Sequence, residues 1–215
     1  MPKAYEEIAD DRQHGRGTFV RRPRARVVRD NGRHQWEKDR ARQPSAVRAA
    51  TGATEHDTGL VPDDLVFLAR YRTVEASKDL AGVFGVPEGT PLLERSYRTR
   101  YAAEAAAFGL VTSYLPHAVA AANPDLLDAS REPWPGGTHH QLSTVGIEID
   151  RIEERVGARP PTPQETRELE LPAGTAVILI RKTSYDTLGR VVDVSDVVLP
   201  GDRTELLFTT RLERW

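Results

Sequence analysis

The sequence predicts an α+β domain, with helices and β-strands built around one shared sheet, and three observations carry that reading. A short cassette occurs twice, 85 positions apart: Val86-Pro87-Glu88-Gly89-Thr90-Pro91-Leu92-Leu93 returns as Leu171-Pro172-Ala173-Gly174-Thr175-Ala176-Val177-Ile178. Proline fixes φ and glycine frees the backbone, so Pro-x-Gly-Thr is a tight turn, here from helix into strand. Two such units suggest a domain of two related halves. The second observation is Thr162-Pro163-Gln164-Glu165, a capping box with proline at the first helical position, which starts a helix. The third is a pair of β-prone runs, 177–185 and 190–199, on either side of the turn Asp186-Thr187-Leu188-Gly189.

The remaining elements follow in chain order. Residues 65–71 read as a first strand; residues 80–84 are an amphipathic helical stretch before the first cassette, and 92–101 the strand after it. Residues 108–115 read as the antiparallel return strand, stopped by Pro116. A helical stretch is expected near 117–122, a loop at Pro133-Trp134-Pro135-Gly136-Gly137, and a short helix over 138–145. Residues 147–155 alternate Ile147 and Ile149 with charged neighbours, as a half-buried strand does. A last strand is expected over 205–210. Residues 21–62, rich in arginine, glycine, proline and threonine, read as a linker too polar to order itself, part of which docks on the domain.

Composition adds limits. The chain has 215 residues, 39% apolar, no cysteine and a net charge of −2. A disulfide framework, a thiolate nucleophile and a thiolate metal site are excluded. No apolar run approaches a membrane span, and the opening Met1-Pro2-Lys3-Ala4-Tyr5-Glu6-Glu7 has no signal-peptide core, so a cytoplasmic protein without membrane contact is expected. Charge is unevenly spread: residues 1–50 carry 13 Lys/Arg against 7 Asp/Glu, so the remainder is acidic. A basic head on an acidic body fits either a head that approaches a polyanion or a solvated arginine-rich segment.

Taken together, several motifs resemble the effector-binding (UTRA) domain of the HutC branch of the GntR transcription regulators. They are the doubled cassette, Ser113-Tyr114-Leu115-Pro116 ending a strand, Pro135-Gly136-Gly137 before a helix, and Arg190-Val191-Val192-Asp193-Val194-Ser195 followed by Gly201-Asp202-Arg203. The resemblance spans roughly residues 64–211. It implies an antiparallel sheet flanked by helices, the fold shared with chorismate lyase, with a small-molecule cavity and a two-fold dimer. In the head, His14-Gly15-Arg16-Gly17-Thr18-Phe19-Val20-Arg21-Arg22-Pro23 resembles the wing of the family's winged helix-turn-helix, and Tyr5-Glu6-Glu7-Ile8-Ala9-Asp10-Asp11 the start of its first helix. Only Arg12-Gln13 stands between them, leaving no room for a recognition helix. The organisation expected is therefore a remnant of the winged helix-turn-helix over 1–22, a basic linker over 23–62 and the UTRA domain over 63–215. Arg16, Thr18, Arg21 and Arg22 are the DNA-contacting candidates, and their binding is expected to be weak and without sequence discrimination.

For the effector, the candidates are Arg98, Arg100, Gly137, Thr138, His139 and Asp193. After the first cassette, Leu93, Tyr97 and Tyr101 form one strand face, and Glu94, Ser96, Arg98 and Arg100 the other. Two arginines at i and i+2 can converge on one anion, or can simply face water. The family resemblance favours the clamp, because an Arg-x-Arg pair on this strand contacts the effector in several members. Gly136-Gly137-Thr138 before a helix is either an anion-friendly backbone or a plain N-cap. Phosphosugar-binding members carry serine, an apolar residue and tyrosine where this chain has Gly137, Thr138 and His139. Val111 and Leu199 replace polar family residues, and Asp193 keeps a carboxylate. These departures imply an effector more apolar than a sugar, with an anionic group fitting the arginines.

Enzymatic readings lack a constellation. His139-His140 has no helical metal spacing, Gly89-Thr90 and Gly174-Thr175 lack the lysine of a phosphate loop, and Ser113 has no nucleophile elbow. No cofactor or metal is expected. The function expected is a ligand-responsive transcription regulator; the alternatives are a stand-alone small-molecule-binding protein acting through dimerisation, and a lyase-like enzyme.

Overall fold

A computed structural model describes residues 10–12, 18–20 and 26–213, with side chains from residue 26 to 213. Strands β1 (Asp10–Arg12) and β2 (Thr18–Val20) pair antiparallel, with Arg12 opposite Thr18. This hairpin has its Thr18–Val20 arm in the segment that resembles the family's wing. It also corrects the expectation of a helix through Asp10 and Asp11, which lie in the first arm of that hairpin.

The segment read as a linker is largely ordered. Strand β3 (Val27–Asp30) is followed by helices α1 (Arg33–Ala41), α2 (Ser45–Ala50) and α3 (Ala53–Thr58). Apolar burial is not what holds them, which is why the polar composition misled. Arg33 is buried between Asp57 and Glu37. Arg40 donates to the carbonyls of Arg48 and Thr51 and stacks on Trp36. Charged side chains can order a segment when each finds a partner.

The body is a six-stranded antiparallel sheet. Strand β4 (Leu65–Glu75) leads to helix α4 (Lys78–Phe84), then strands β5 (Pro91–Tyr101) and β6 (Ala107–Pro116). Short helices α5 (His117–Ala120) and α6 (Gly137–Ser143) follow. Strand β7 (Ile149–Arg159), helix α7 (Pro163–Leu169), and strands β8 (Val177–Asp186) and β9 (Val191–Pro200) then repeat the first pattern. The strand order β4-β5-β6-β9-β8-β7 reads the same from either edge: strand-helix-strand-strand twice, joined at the β6–β9 pair. Both cassettes make the same turn. Thr90 N–H donates to Pro87 and Thr175 N–H to Pro172, while Gly89 and Gly174 take φ of 82° and 81°, which a side chain at that position resists.

Pleating sends alternate residues to opposite faces, and each face has its own cover. Helices α4 and α7 cover one. Leu80 and Phe84 pack there on Leu92, Tyr114 and Val194, and Leu169 on Val177, Leu110 and Val198. Fully burying each such side chain contributes about 1.5–3 kcal/mol. The capping box of α7 is present, with Thr162 and Glu165 bonded reciprocally. The other face carries Leu93, Leu115, Val111, Val197 and Leu199, under α5, α6 and the segment between them. Strand β10 (Thr204–Leu207) does not join this sheet as an extra edge. It is shorter than expected and pairs in parallel with β3, tying the chain's end to the α1–α3 segment. No helix among the described residues is long and apolar enough to cross a membrane.

Candidate functional site

The face opposite α4 and α7 holds a cavity of about 490 Å³. Its floor is sheet: Phe67 of β4, Tyr97 and Thr99 of β5, Gly109 and Val111 of β6, Val197 and Leu199 of β9, and Lys182 of β8. Glu132, Trp134, Gly137, Thr138, His139 and Gln141 form one wall, and Arg33, Glu37, Arg40, Glu55 and Asp57 of α1 and α3 form the opposite one. Residues expected to be linker therefore enclose the site.

Beneath the cavity runs a buried polar chain. Arg95 is 1% exposed, donating from Nη1 to Gln141 Oε1 (2.6 Å) and from Nη2 to Ser113 Oγ (2.6 Å) and Asp193 Oδ1 (3.1 Å). Ser113 and Ser195 both donate to Asp193, at 2.6 and 2.9 Å. Gln141 passes the chain to Glu132, which also accepts from Tyr71, from Tyr97 and from the Trp134 N–H. Burial, with the Glu132 carboxylate alongside, pushes the Tyr71 hydroxyl up to about 12. Each member is bonded, so the chain fixes the floor and the wall to one another.

The candidate residues divide. Gly137, Thr138 and His139 line the cavity. Asp193 lies under it, engaged by Arg95, Ser113 and Ser195. Arg98 and Arg100 do not reach it. Arg98 points to the α7 side, with Nε 2.6 Å from Glu168 Oε2 and Nη2 on the Ala105 carbonyl. Arg100 caps the carbonyls of Tyr101, Ala102 and Glu104. The alternation Arg-x-Arg was read correctly, but the cavity opens on the other face, the one carrying Tyr97. Thr18 lies on β2, while Arg16, Arg21 and Arg22 lie outside the described residues. Arg95, Glu132, Gln141 and Lys182 were missed. Arg95 alone left a signal, as a charged residue on an otherwise apolar strand face.

The electrostatics centre on α1 and β7. His34 Nε2 is 3.2 Å from Glu154 Oε1, Arg29 reaches the same oxygen at 3.4 Å, and Lys38 donates to the Ile149 carbonyl at 2.7 Å. Burial would lower the His34 pKa, but Glu154 and Glu37 outweigh it and the net shift is upward. Burial would raise Glu154, but His34, Arg29 and Lys182 hold it at about 2. Burial takes the His139 imidazole down to about 4, so it is neutral at neutral pH. No cluster of metal-ligating side chains occurs among the described residues.

Comparison with known proteins places this geometry. The UTRA domain family matches residues 67–205, which span all but the first two residues of the six-stranded sheet. The chain belongs to the UTRA domain family. This UTRA chain is 29% identical over 137 residues to an uncharacterized HTH-type transcriptional regulator of Streptomyces coelicolor; the match covers 60% of the chain and 48% of that relative, so it spans about half of the relative's length. A crystal structure assigned to the GntR family of transcriptional regulators superposes with a TM-score of 0.68 at 25% identity, over 94% of the UTRA chain and 76% of the other. PhnF from Mycobacterium smegmatis gives 0.61 at 22% identity, over 95% and 79%. The C-terminal domain of the histidine utilization repressor from Pseudomonas syringae pv. tomato gives 0.55 at 19%, over 70% and 99%. The last two likenesses are of fold alone.

Proposed function

We propose that this chain is the sensing part of a ligand-responsive transcription regulator of the GntR type, of the HutC branch, working as a cytoplasmic homodimer. The observation that carries the reading is the cavity shared between the UTRA sheet and helices α1 and α3. Those helices follow the head hairpin in sequence, so a ligand that bridges sheet and helices changes how the head is held. That is linkage: a ligand shifts DNA affinity only by binding one head arrangement better than another. Residues 63–215 sense, residues 23–62 transmit, and residues 1–22 are a remnant DNA-binding head in which Arg16, Thr18, Arg21 and Arg22 make weak phosphate contacts. The effector is small, more apolar than a sugar and anionic.

The test is a paired one. Small organic acids are screened by thermal shift on the full chain, and those that stabilise it are added to a DNA-retention assay with genomic fragments at several salt concentrations. A stabilising acid that changes DNA retention supports the regulator. Stabilisation without any DNA retention, even at low salt, removes DNA from the function and leaves a stand-alone binding protein.

A further inference from the structure

The cations around the cavity are not equally committed. Arg33 is held by Asp57 and Glu37, Arg40 by the carbonyls of Arg48 and Thr51, and Arg29 by Glu154. The Lys182 side chain, on the cavity floor, has no hydrogen bond or ion pair among the described residues. Its charge is nonetheless felt at Glu37, Glu154 and His139. The carboxylates in its reach are already taken, Glu37 by Arg33 and Glu154 by His34 and Arg29. Arg29, Arg33 and Lys182 thus face Glu37, Asp57 and Glu154, so the formal charges balance there, and Lys182 is the cation of that group without a bonded partner among the described residues. Glu55, the lining carboxylate without a hydrogen bond among the described residues, lies in the field of Arg40 on the far wall.

The His139 side chain, which feels the Lys182 charge, also has no hydrogen bond among the described residues and lines the same cavity. A neutral imidazole offers one N–H donor. Most of the rest of the floor is Phe67, Phe108, Val111, Val197 and Leu199, a surface that takes hydrocarbon or an aromatic ring and, with Tyr97 and the single hydroxyl of Thr99 beside it, offers few partners to a polyhydroxylated body.

We infer that the cavity takes a singly charged organic acid with an apolar, ring-sized body, its carboxylate or sulfonate set against the Lys182 ammonium with the His139 ring as a hydrogen-bond donor. The inference rests on the reading of this cavity as the effector site and narrows it to one charge, one ion partner and one kind of body. A dianionic phosphate needs a second cation free to turn to it, and Arg33 and Arg40, although each keeps an unpartnered Nε–H, are held in place through their terminal nitrogens. A cationic ligand would be repelled by the Lys182 ammonium.

The test uses two fluorescent probes with the same aromatic body, 1-anilinonaphthalene-8-sulfonate and its uncharged counterpart N-phenyl-1-naphthylamine, titrated into the full chain. The wild type should bind the sulfonate more tightly than the neutral probe. Lys182→Met should weaken the sulfonate about tenfold or more and leave the neutral probe within about twofold, because a charge-assisted partner is lost while the apolar floor stays. Lys182→Arg should keep most of the sulfonate affinity, and unchanged melting curves exclude unfolding. Val111→Trp, which fills the cavity, should abolish both signals. Sulfonate binding that ignores Lys182→Met, equal loss of both probes, survival of either signal in Val111→Trp, or binding of neither probe to the wild type overturns the inference. The effector-dependent DNA assay is separate, so the regulator reading stands or falls independently.

Discussion

Arg95 Nη2 lies 3.1 Å from Asp193 Oδ1 across the intervening strand β6, and Ser113 of that strand bonds to both. Their side chains are 2% and 0% exposed, so neither charge has water to fall back on. Removing one partner leaves the other uncompensated, and such changes cost about 3–5 kcal/mol. Asp193→Asn and Arg95→Met should each lose stability on that scale in denaturant titrations. The double variant Arg95→Met/Asp193→Leu should recover much of the loss; strictly additive losses would show that the pair is not coupled.

The docking of α1 on β7 should depend on pH through His34. Its folded pKa lies above the unfolded value near 6.5, so the contribution is complete below about pH 6.5 and is lost as pH rises through the folded pKa. Glu154 has the opposite dependence: its contribution is full above about pH 4.5 and is lost as pH falls toward about 2. Protection factors of the 33–41 amides, corrected for the intrinsic rise of exchange with pH, should accordingly fall on the alkaline side in the wild type, and His34→Gln should flatten that limb.

His139 acts in the other direction. Held down to about 4 by burial, it resists protonation in the folded state, while the unfolded chain takes up the proton near pH 6.5. Wild-type stability should therefore fall, relative to His139→Asn, as pH drops from about 6.5 toward about 4. Parallel stability–pH curves for the two proteins would contradict the buried, neutral imidazole.

Arg98→Ala and Arg100→Ala should leave probe binding in the cavity unchanged. Arg98 and Glu168 are both partly exposed, so their pair is worth less than about 1 kcal/mol. A tenfold loss of probe affinity in either variant would mean that the cavity side of β5 has been misassigned.

Thr162→Ala removes the side-chain acceptor for the Glu165 N–H and should cost about 1 kcal/mol, read as a lower melting temperature. Because α7 lies on the face away from the cavity, probe affinity should not move with it.

Much of the body was legible in the sequence because its signals are local. Pro-x-Gly-Thr, the Thr162 capping box and the turn at 186–189 each fix a few consecutive dihedrals, and the doubled cassette announced the two halves. The alternation along β5 was legible too. Which face of β5 meets a ligand was not, because it depends on what covers each face, and that is settled by residues far away: α7 reaching Arg98 through Glu168, and α1 bringing Arg33 and Glu37 over the other side. The order within 26–58 was hidden for a related reason. Its helices are held by paired charges rather than by an apolar stripe, and pairs such as Arg33 with Asp57 or Arg29 with Glu154 leave no periodic trace. Lys182 was passed over because a lysine on a strand is ordinary until its neighbours are known.

The palindromic strand order has a consequence for how this protein could diversify. A framework made of two topologically equivalent halves does not by its strand order tell one side of the molecule from the other. Asymmetry of architecture comes from the stretches without a counterpart, residues 26–64 before the first half and 117–148 between the two, and both supply cavity walls. Change can therefore accumulate in those two stretches while the duplicated scaffold remains as it is. Exchanging them between relatives reshapes the walls, while the charge that Lys182 sets stays with the sheet.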